Sequence, residues 1–192
     1  MNWRNSSERY GSVAKWLHGM TALCMLPALG IAAFLDTLHE DVPGDPAIYF
    51  AWMPWHKTFG FLVLCLIVLR LPWALANPKP AMPDAMTRWQ QSLAQAAHWS
   101  LYGLMLLLPA LGWLGTSAQQ SSFKLFDRIS MPYLLAEKNQ NLSDLIYEIH
   151  VGLGWTAMTL VAVHIGAALW HHYVWKDGLL RRMWIEADAP DT

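Results

Sequence analysis

Residues 149–166 read IHVGLGWTAMTLVAVHIG, an apolar run with His150 near one end and His164 near the other. Fourteen residues separate the two imidazoles. On an α-helix that is almost four whole turns, so both side chains leave one face, about 21 Å apart along the axis. With its apolar flanks the run covers about residues 147–172, enough to cross a bilayer. Ionisable groups inside a hydrophobic span are costly and usually functional. The simplest use of two stacked imidazoles is to hold two stacked metal centres.

The rest of the chain has the same character. Of its 192 residues 55% are hydrophobic, 12 are Trp and only 14% are charged, against about 25% charged in soluble domains. The apolar residues fall in blocks, and three more stretches reach spanning length, at about 14–35, 54–76 and 96–116. The expectation is an all-α, integral membrane four-helix bundle, a single membrane domain over residues 1–192. Pro27 and Pro109 fall inside spans and read as kinks, because neighbouring groups in a bundle satisfy the freed carbonyls. A net charge of −1 points away from nucleic acid and leaves membrane lipid as the surrounding partner. Cys24 and Cys65 sit in apolar runs and read as packing residues. No CxxCH occurs, so covalent c-type haem attachment is excluded. The polar N-terminus shows no cleavable signal pattern, and the first span reads as an uncleaved insertion signal. The segment 117–146, with Pro132 and Leu134–Leu135, is expected to hold a short surface helix lying on the bundle. No repeat is present.

Charge sets the orientation. The tails, the 77–95 connection and the adjoining span ends carry Arg4, Arg9, Lys15, Arg70, Lys79, Arg88, Lys176, Arg181 and Arg182. The other side carries Lys57, Lys124, Arg128 and Lys138. Because Lys and Arg collect on the cytoplasmic side, both termini are expected in the cytoplasm. The 36–53 and 117–146 segments then face outward, into the periplasm of a Gram-negative bacterium. Trp16, Trp52, Trp55, Trp73, Trp99, Trp113, Trp170 and Trp175 lie near span ends, as an interfacial belt requires.

Topology sorts the histidines by depth. His56 and His150 fall in the outer half of the membrane; His18, His98 and His164 fall in the inner half. His171 and His172 follow at the inner boundary, and His39 lies on the outer side. Bis-imidazole ligation of a haem iron needs one His from each of two facing helices at equal depth. His56 with His150 meets that condition, and His164 can pair with either His18 or His98. Structural zinc fits less well, since it wants four ligands at one point, commonly with Cys. Gly19, Gly60, Gly152, Gly154 and Gly166 lie close to these histidines and leave room for a flat porphyrin, though small residues also serve plain helix packing.

Four blocks carry a family resemblance: RYGSVAKWLHGM (9–20), MPWHKTFGFLVLCLIVLRL (53–71), AAHWSLYGLMLLLPALGWL (96–114) and YEIHVGLGWTAMTLVAVHIGAALWHHYVWKDGLLRRM (147–183). Over about residues 9–184 the chain resembles the bacterial cytochrome b561 family of four-helix, di-haem b membrane proteins. The resemblance implies two non-covalent haem b groups, the inner held by His18 and His164, the outer by His56 and His150. It favours His18 over His98 for the inner group. It also implies electron transfer between the outer surface and the quinone pool in the bacterial inner membrane. One type in the family is a superoxide oxidase that passes the electron to ubiquinone. A quinone is then expected near the inner haem. His171, one heptad beyond His164 on the same face, can bond a quinone carbonyl and pass it a proton. Arg70 is placed to stabilise negative charge on the quinone, and His98 to join that site or bond a haem propionate. Each also has a plainer reading, as interfacial anchor, snorkelling cation or packing residue.

One feature of the outer loops runs against superoxide. An anion is captured faster by a basic patch, yet Asp36, Glu40, Asp41, Asp45, Asp127, Glu137, Asp144 and Glu148 outnumber the basic residues there. Lys57, beside His56, is placed with Lys124 and Arg128 to form a small basic funnel for superoxide, and the plainer reading of all three is as solvated surface charges. Two functions are therefore expected in competition. One is an oxidoreductase coupling superoxide to ubiquinone. The other is a non-catalytic cytochrome b relay that exchanges electrons with a periplasmic redox protein docked on the acidic loops.

Overall fold

The structure is a computed structural model and describes residues 2–41, 46–83 and 86–183. Asp45 and the last nine residues, with the expected placement of the C-terminus, lie outside the described residues. The elements run α1 (Ser12–Asp41), α2 (Pro46–Ala76), α3 (Arg88–Gln119), β1 (Lys124–Leu125), β2 (Ile129–Ser130) and α4 (Gln140–Trp170). A π-helical turn (His171–Trp175) and a 3₁₀ turn (Leu180–Met183) follow. Among the described residues four helices are long and apolar enough to cross a membrane.

Each helix starts before its expected span, because polar and aromatic ends continue the helix beyond the hydrocarbon, while α2 ends as expected at Ala76 and α4 gives way to a π-helical turn after Trp170, before the expected end at His172. The second span was expected to open at Pro54; α2 instead opens at Pro46 and carries Pro54 and Pro72 inside it. Proline suits a first helical turn, where its missing N–H has no partner to lose. Most of the expected 36–53 loop is consequently helical. At the start of α3 the Thr87 N–H donates to Gln90 Oε1 at 2.8 Å, and Asn139 Oδ1 caps α4 by accepting from the Leu142 N–H at 3.0 Å.

Lipid, not water, is the solvent for most of this surface. No more than 28% of the most apolar stretch of any spanning helix is buried within the protein. Leu23, Leu26, Val68, Leu69, Leu107, Val163 and Leu169 are all exposed, a surface that aqueous solvent does not tolerate at this scale. Of the expected belt, Trp16, Trp52, Trp55, Trp99, Trp170 and Trp175 are exposed. Trp113 turns to the protein, where its indole N–H donates to the Pro132 carbonyl at 3.0 Å. Buried Cys24 packs with Val63, Ile67, Leu101 and Met105, while Leu104, Leu108 and Ala157 join α3 to α4. Both cysteines are free, and Cys65 faces outward.

Close packing runs from α1 to α2, α2 to α3 and α3 to α4. The helix α4 stands off from α1 and α2, and the histidines face each other across that separation. One end of the bundle carries the described parts of both tails. There Ala81 N–H donates to the Ser7 carbonyl at 2.9 Å, Asn5 Nδ2 to the Pro78 carbonyl at 3.0 Å, and Arg182 to the Ala81 carbonyl. Trp3 packs on Trp73 with ring centroids 6.0 Å apart. This is the terminus end.

The other, loop end differs from expectation. No surface helix forms between α3 and α4; the segment makes a small antiparallel hairpin, Lys124 opposite Ser130 and Leu125 opposite Ile129. Phe126 and Asp127 turn it with φ of 51° and 55°, left-handed values that no helix continues. Long-range contacts hold this shape: Phe126 N–H donates to Thr58 Oγ1 at 3.0 Å, and Leu134 N–H to Ser117 Oγ at 3.0 Å.

Candidate functional site

At the loop end, His56 of α2 and His150 of α4 face each other with ring centroids 6.1 Å apart. His56 Nδ1 lies 2.9 Å from the Ala28 carbonyl. A carbonyl only accepts, so Nδ1 carries the hydrogen and Nε2 keeps the lone pair. That is the arrangement of a metal-ligating imidazole, its other nitrogen anchored by a backbone acceptor. His150 Nδ1 is buried without a hydrogen bond of normal geometry, with the Leu108 carbonyl nearby. Both rings line a cavity of about 830 Å³, with Gly60, Gly112 and Gly154 in its wall, within the roughly 300–1,000 Å³ span of cofactor sites. A Cβ at Gly112 would meet His150 Cε1 at 3.3 Å, whereas Gly60 and Gly154 have nothing within 4 Å. An apolar cavity with glycine walls and opposed imidazoles fits a flat haem.

At the terminus end, His164 has two imidazole neighbours: His18 at 6.2 Å and His98 at 5.5 Å between ring centroids. Both pairings read from the sequence are therefore brought together. Arg70 lies among them. Its Nη2 donates to His18 Nδ1 at 2.7 Å, and its Cζ stands 5.3 Å from the Tyr102 ring centroid. It is part-buried, with no carboxylate partner among the described residues. His18 cannot accept from Arg70 at Nδ1 and also present a lone pair at Nε2 as a neutral ligand. Ligation by His18 requires Arg70 to swing away.

His171 is buried at the end of α4, and its Nδ1 pairs with Asp177. Lys57 is not a free surface charge: its Nζ donates to the Ser122 carbonyl at 3.2 Å and sits 6.0 Å from the Phe123 ring centroid. It lines the cavity together with Asp36 and Asp144. Asp177, Gly112 and the Ala28 carbonyl escaped the reading of the sequence. Asp177 stands in the WKDG stretch after α4, but helical periodicity says nothing once the helix ends. The partners of Gly112 and Ala28 are set by packing between helices.

Among the described residues no group of three or more His, Cys, Asp or Glu is arranged to hold one metal ion between its side chains. What remains is imidazoles paired across helices at two depths. The family model for prokaryotic cytochrome b561 matches residues 9–185. The chain belongs to that family.

Its relatives agree. The chain is 26% identical to "Cytochrome b561 homolog 2" of Escherichia coli K12 over 187 residues, 95% of each chain. It is 29% identical to "Cytochrome b561 homolog 1" of the same organism over 176 residues, 92% of this chain and 97% of the other. It is 32% identical to "Probable superoxide oxidase CybB" of Yersinia pestis over 139 residues, 72% of this chain and 78% of that one. As a cytochrome b561 the protein is a multi-pass, haem b-binding electron-transfer protein of the bacterial inner membrane.

Proposed function

We propose that the protein is a superoxide:ubiquinone oxidoreductase, with two haem b groups held by His56 and His150 at the loop end and by His18 and His164 at the terminus end. Its terminus end faces the cytoplasm. The haems supply one-electron transfer across the membrane; the side chains position them and manage charge and protons. The observation that carries the reading is the His56–His150 pair in its glycine-walled cavity, with His56 fixed by Ala28 for ligation through Nε2. The relative named as a superoxide oxidase supports the choice of donor.

Among the described residues Lys57 is the one Lys or Arg lining that cavity. Its charge draws superoxide toward the outer haem, and its bond to Ser122 keeps the ammonium at the mouth. At the other end His171 donates a hydrogen bond and a proton to ubiquinone. Arg70, freed from His18, offsets negative charge on a haem propionate or on the quinone, and His98 lines the same region.

Purified protein fed with superoxide and ubiquinone-1 tests the function. Ubiquinol formation without any second protein is the expected result. The exposed carboxylates Asp127, Glu137, Asp144 and Glu148 favour a second reading, a relay for a basic periplasmic redox protein. Inertness toward superoxide until such a protein is added would establish the relay instead.

A further inference from the structure

We propose that Asp177 is a positioning residue that makes His171 the proton donor of the quinone site; this rests on the terminus-end quinone reading above. The chain leaves the α-helix at His171 and passes through a π-helical turn to Trp175. The π-helix is rare, and its single turns inside α-helices are frequently found at functional sites. Lys176 then adopts φ 52°, and this left-handed residue folds the chain back so that Asp177 returns to His171. The carboxylate is shared in two directions: Oδ2 pairs with His171 Nδ1, and Oδ1 accepts from the Leu179 N–H at 3.0 Å. Trp175 closes on the imidazole edge-to-face, with centroids 4.6 Å apart.

The chemistry follows from the acceptor. An ionised carboxylate only accepts, so Nδ1 carries a hydrogen in either charge state of the ring. Nε2 is then the nitrogen that gains and loses the proton, and it has no hydrogen-bond partner among the described residues. The backbone bond from Leu179 and the ring of Trp175 hold both members in place. A dyad so built has one orientation, one tautomer and one exchangeable proton, as a proton donor needs.

In the overall reaction two superoxide ions give up one electron each and leave as oxygen, and ubiquinone takes the two electrons and two protons to become ubiquinol. The protonated His171 transfers its Nε2 proton to a quinone oxygen, forming the O–H bond as the N–H bond breaks. Asp177 offsets the ring's positive charge before transfer and keeps Nδ1–H bonded after it. Water at the terminus end supplies the second proton and reprotonates Nε2.

The test compares parent, Asp177→Asn, Asp177→Glu and His171→Gln as haem-loaded full-length protein. Haem is first reduced anaerobically, then oxidised by ubiquinone-1 in H₂O and D₂O while the α band is followed. The haem spectrum before mixing reports folding of each variant independently of quinone. Asp177→Asn is expected to slow oxidation about tenfold or more at saturating quinone, leave KM within about twofold, and enlarge the solvent isotope effect. Asp177→Glu restores most of the rate, and His171→Gln is at least as slow as Asp177→Asn. Should Asp177→Asn fail to load haem, the Glu and Gln variants carry the same comparison. An Asp177→Asn protein with parental rate and isotope effect, or one whose only change is a lower melting temperature, overturns the dyad. A parent protein whose reduced haem ubiquinone-1 does not oxidise overturns the quinone reading itself, and the dyad with it.

Discussion

His18 has two suitors. Arg70 donates to its Nδ1, while ligation through Nε2 needs a hydrogen on Nδ1. If His18 is the ligand, His18→Ala leaves about half the b-type pigment and His98→Ala leaves all of it, since bis-imidazole haem needs both axial rings. The reverse outcome, read from pyridine haemochrome content, would assign His98. Arg70→Gln should retain both haems, because it removes a competitor of ligation rather than a ligand. Tyr10 gives a second residue-level prediction. It lies just outside the first span, where burial pushes its phenol above the ordinary 10.0, reinforced by Tyr102 and opposed by Arg70 and Arg182. A raised folded value means that this group's stability contribution is complete below pH 10.0. It is lost as pH climbs through the higher folded value, once the unfolded chain ionises first. Tyr10→Phe should therefore flatten the alkaline limb of stability above pH 10.0 and remove one late tyrosinate step at 295 nm.

Elements show where the sequence was readable. His150 and His164 share a helix with a fixed 3.6-residue period, so their common face needed no tertiary knowledge. The four spans were legible for the same reason, since hydrocarbon thickness sets a length that composition reveals. The hairpin between α3 and α4 was not legible. Its shape depends on Thr58 of α2, 68 residues from Phe126 in sequence, and no local pattern encodes that. Thr58 is fully buried, and Thr58→Val strands the Phe126 N–H. The expected loss is about 1–3 kcal/mol of stability, seen as a lower melting temperature with haem content preserved. The N-terminal cap makes a matching case. A Cβ on Gly11 would fall 2.5 Å from backbone atoms of Trp3 and Arg4, so Gly11→Ala must move main chain. Limited proteolysis should cut this variant before residue 12 while the parent resists.

Across the whole molecule, parity and charge decide which way the bundle faces. Four spans return the chain to the side where it started, and the tails meet at one end through Ser7–Ala81 and Arg182–Ala81. Arg70 leaves the count of surface cations because it sits inside the bundle, and Lys57 is tied to Ser122. Eight of the nine basic residues assigned to the terminus side then remain, namely Arg4, Arg9, Lys15, Lys79, Arg88, Lys176, Arg181 and Arg182, against Lys124, Arg128 and Lys138 at the loop end. The bias still supports the proposed placement of the terminus end in the cytoplasm. A charged, membrane-impermeant maleimide tests this. Buried Cys24 is shielded, and Cys65, exposed midway along α2, faces hydrocarbon that a charged reagent does not enter. Lys138→Cys should label in spheroplasts, and Lys79→Cys only after the membrane is broken. The opposite pattern would turn the cavity of His56, His150 and Lys57 toward the cytoplasm. Superoxide formed outside would then have no path to it, because an anion does not cross the hydrocarbon to reach a site on the other face.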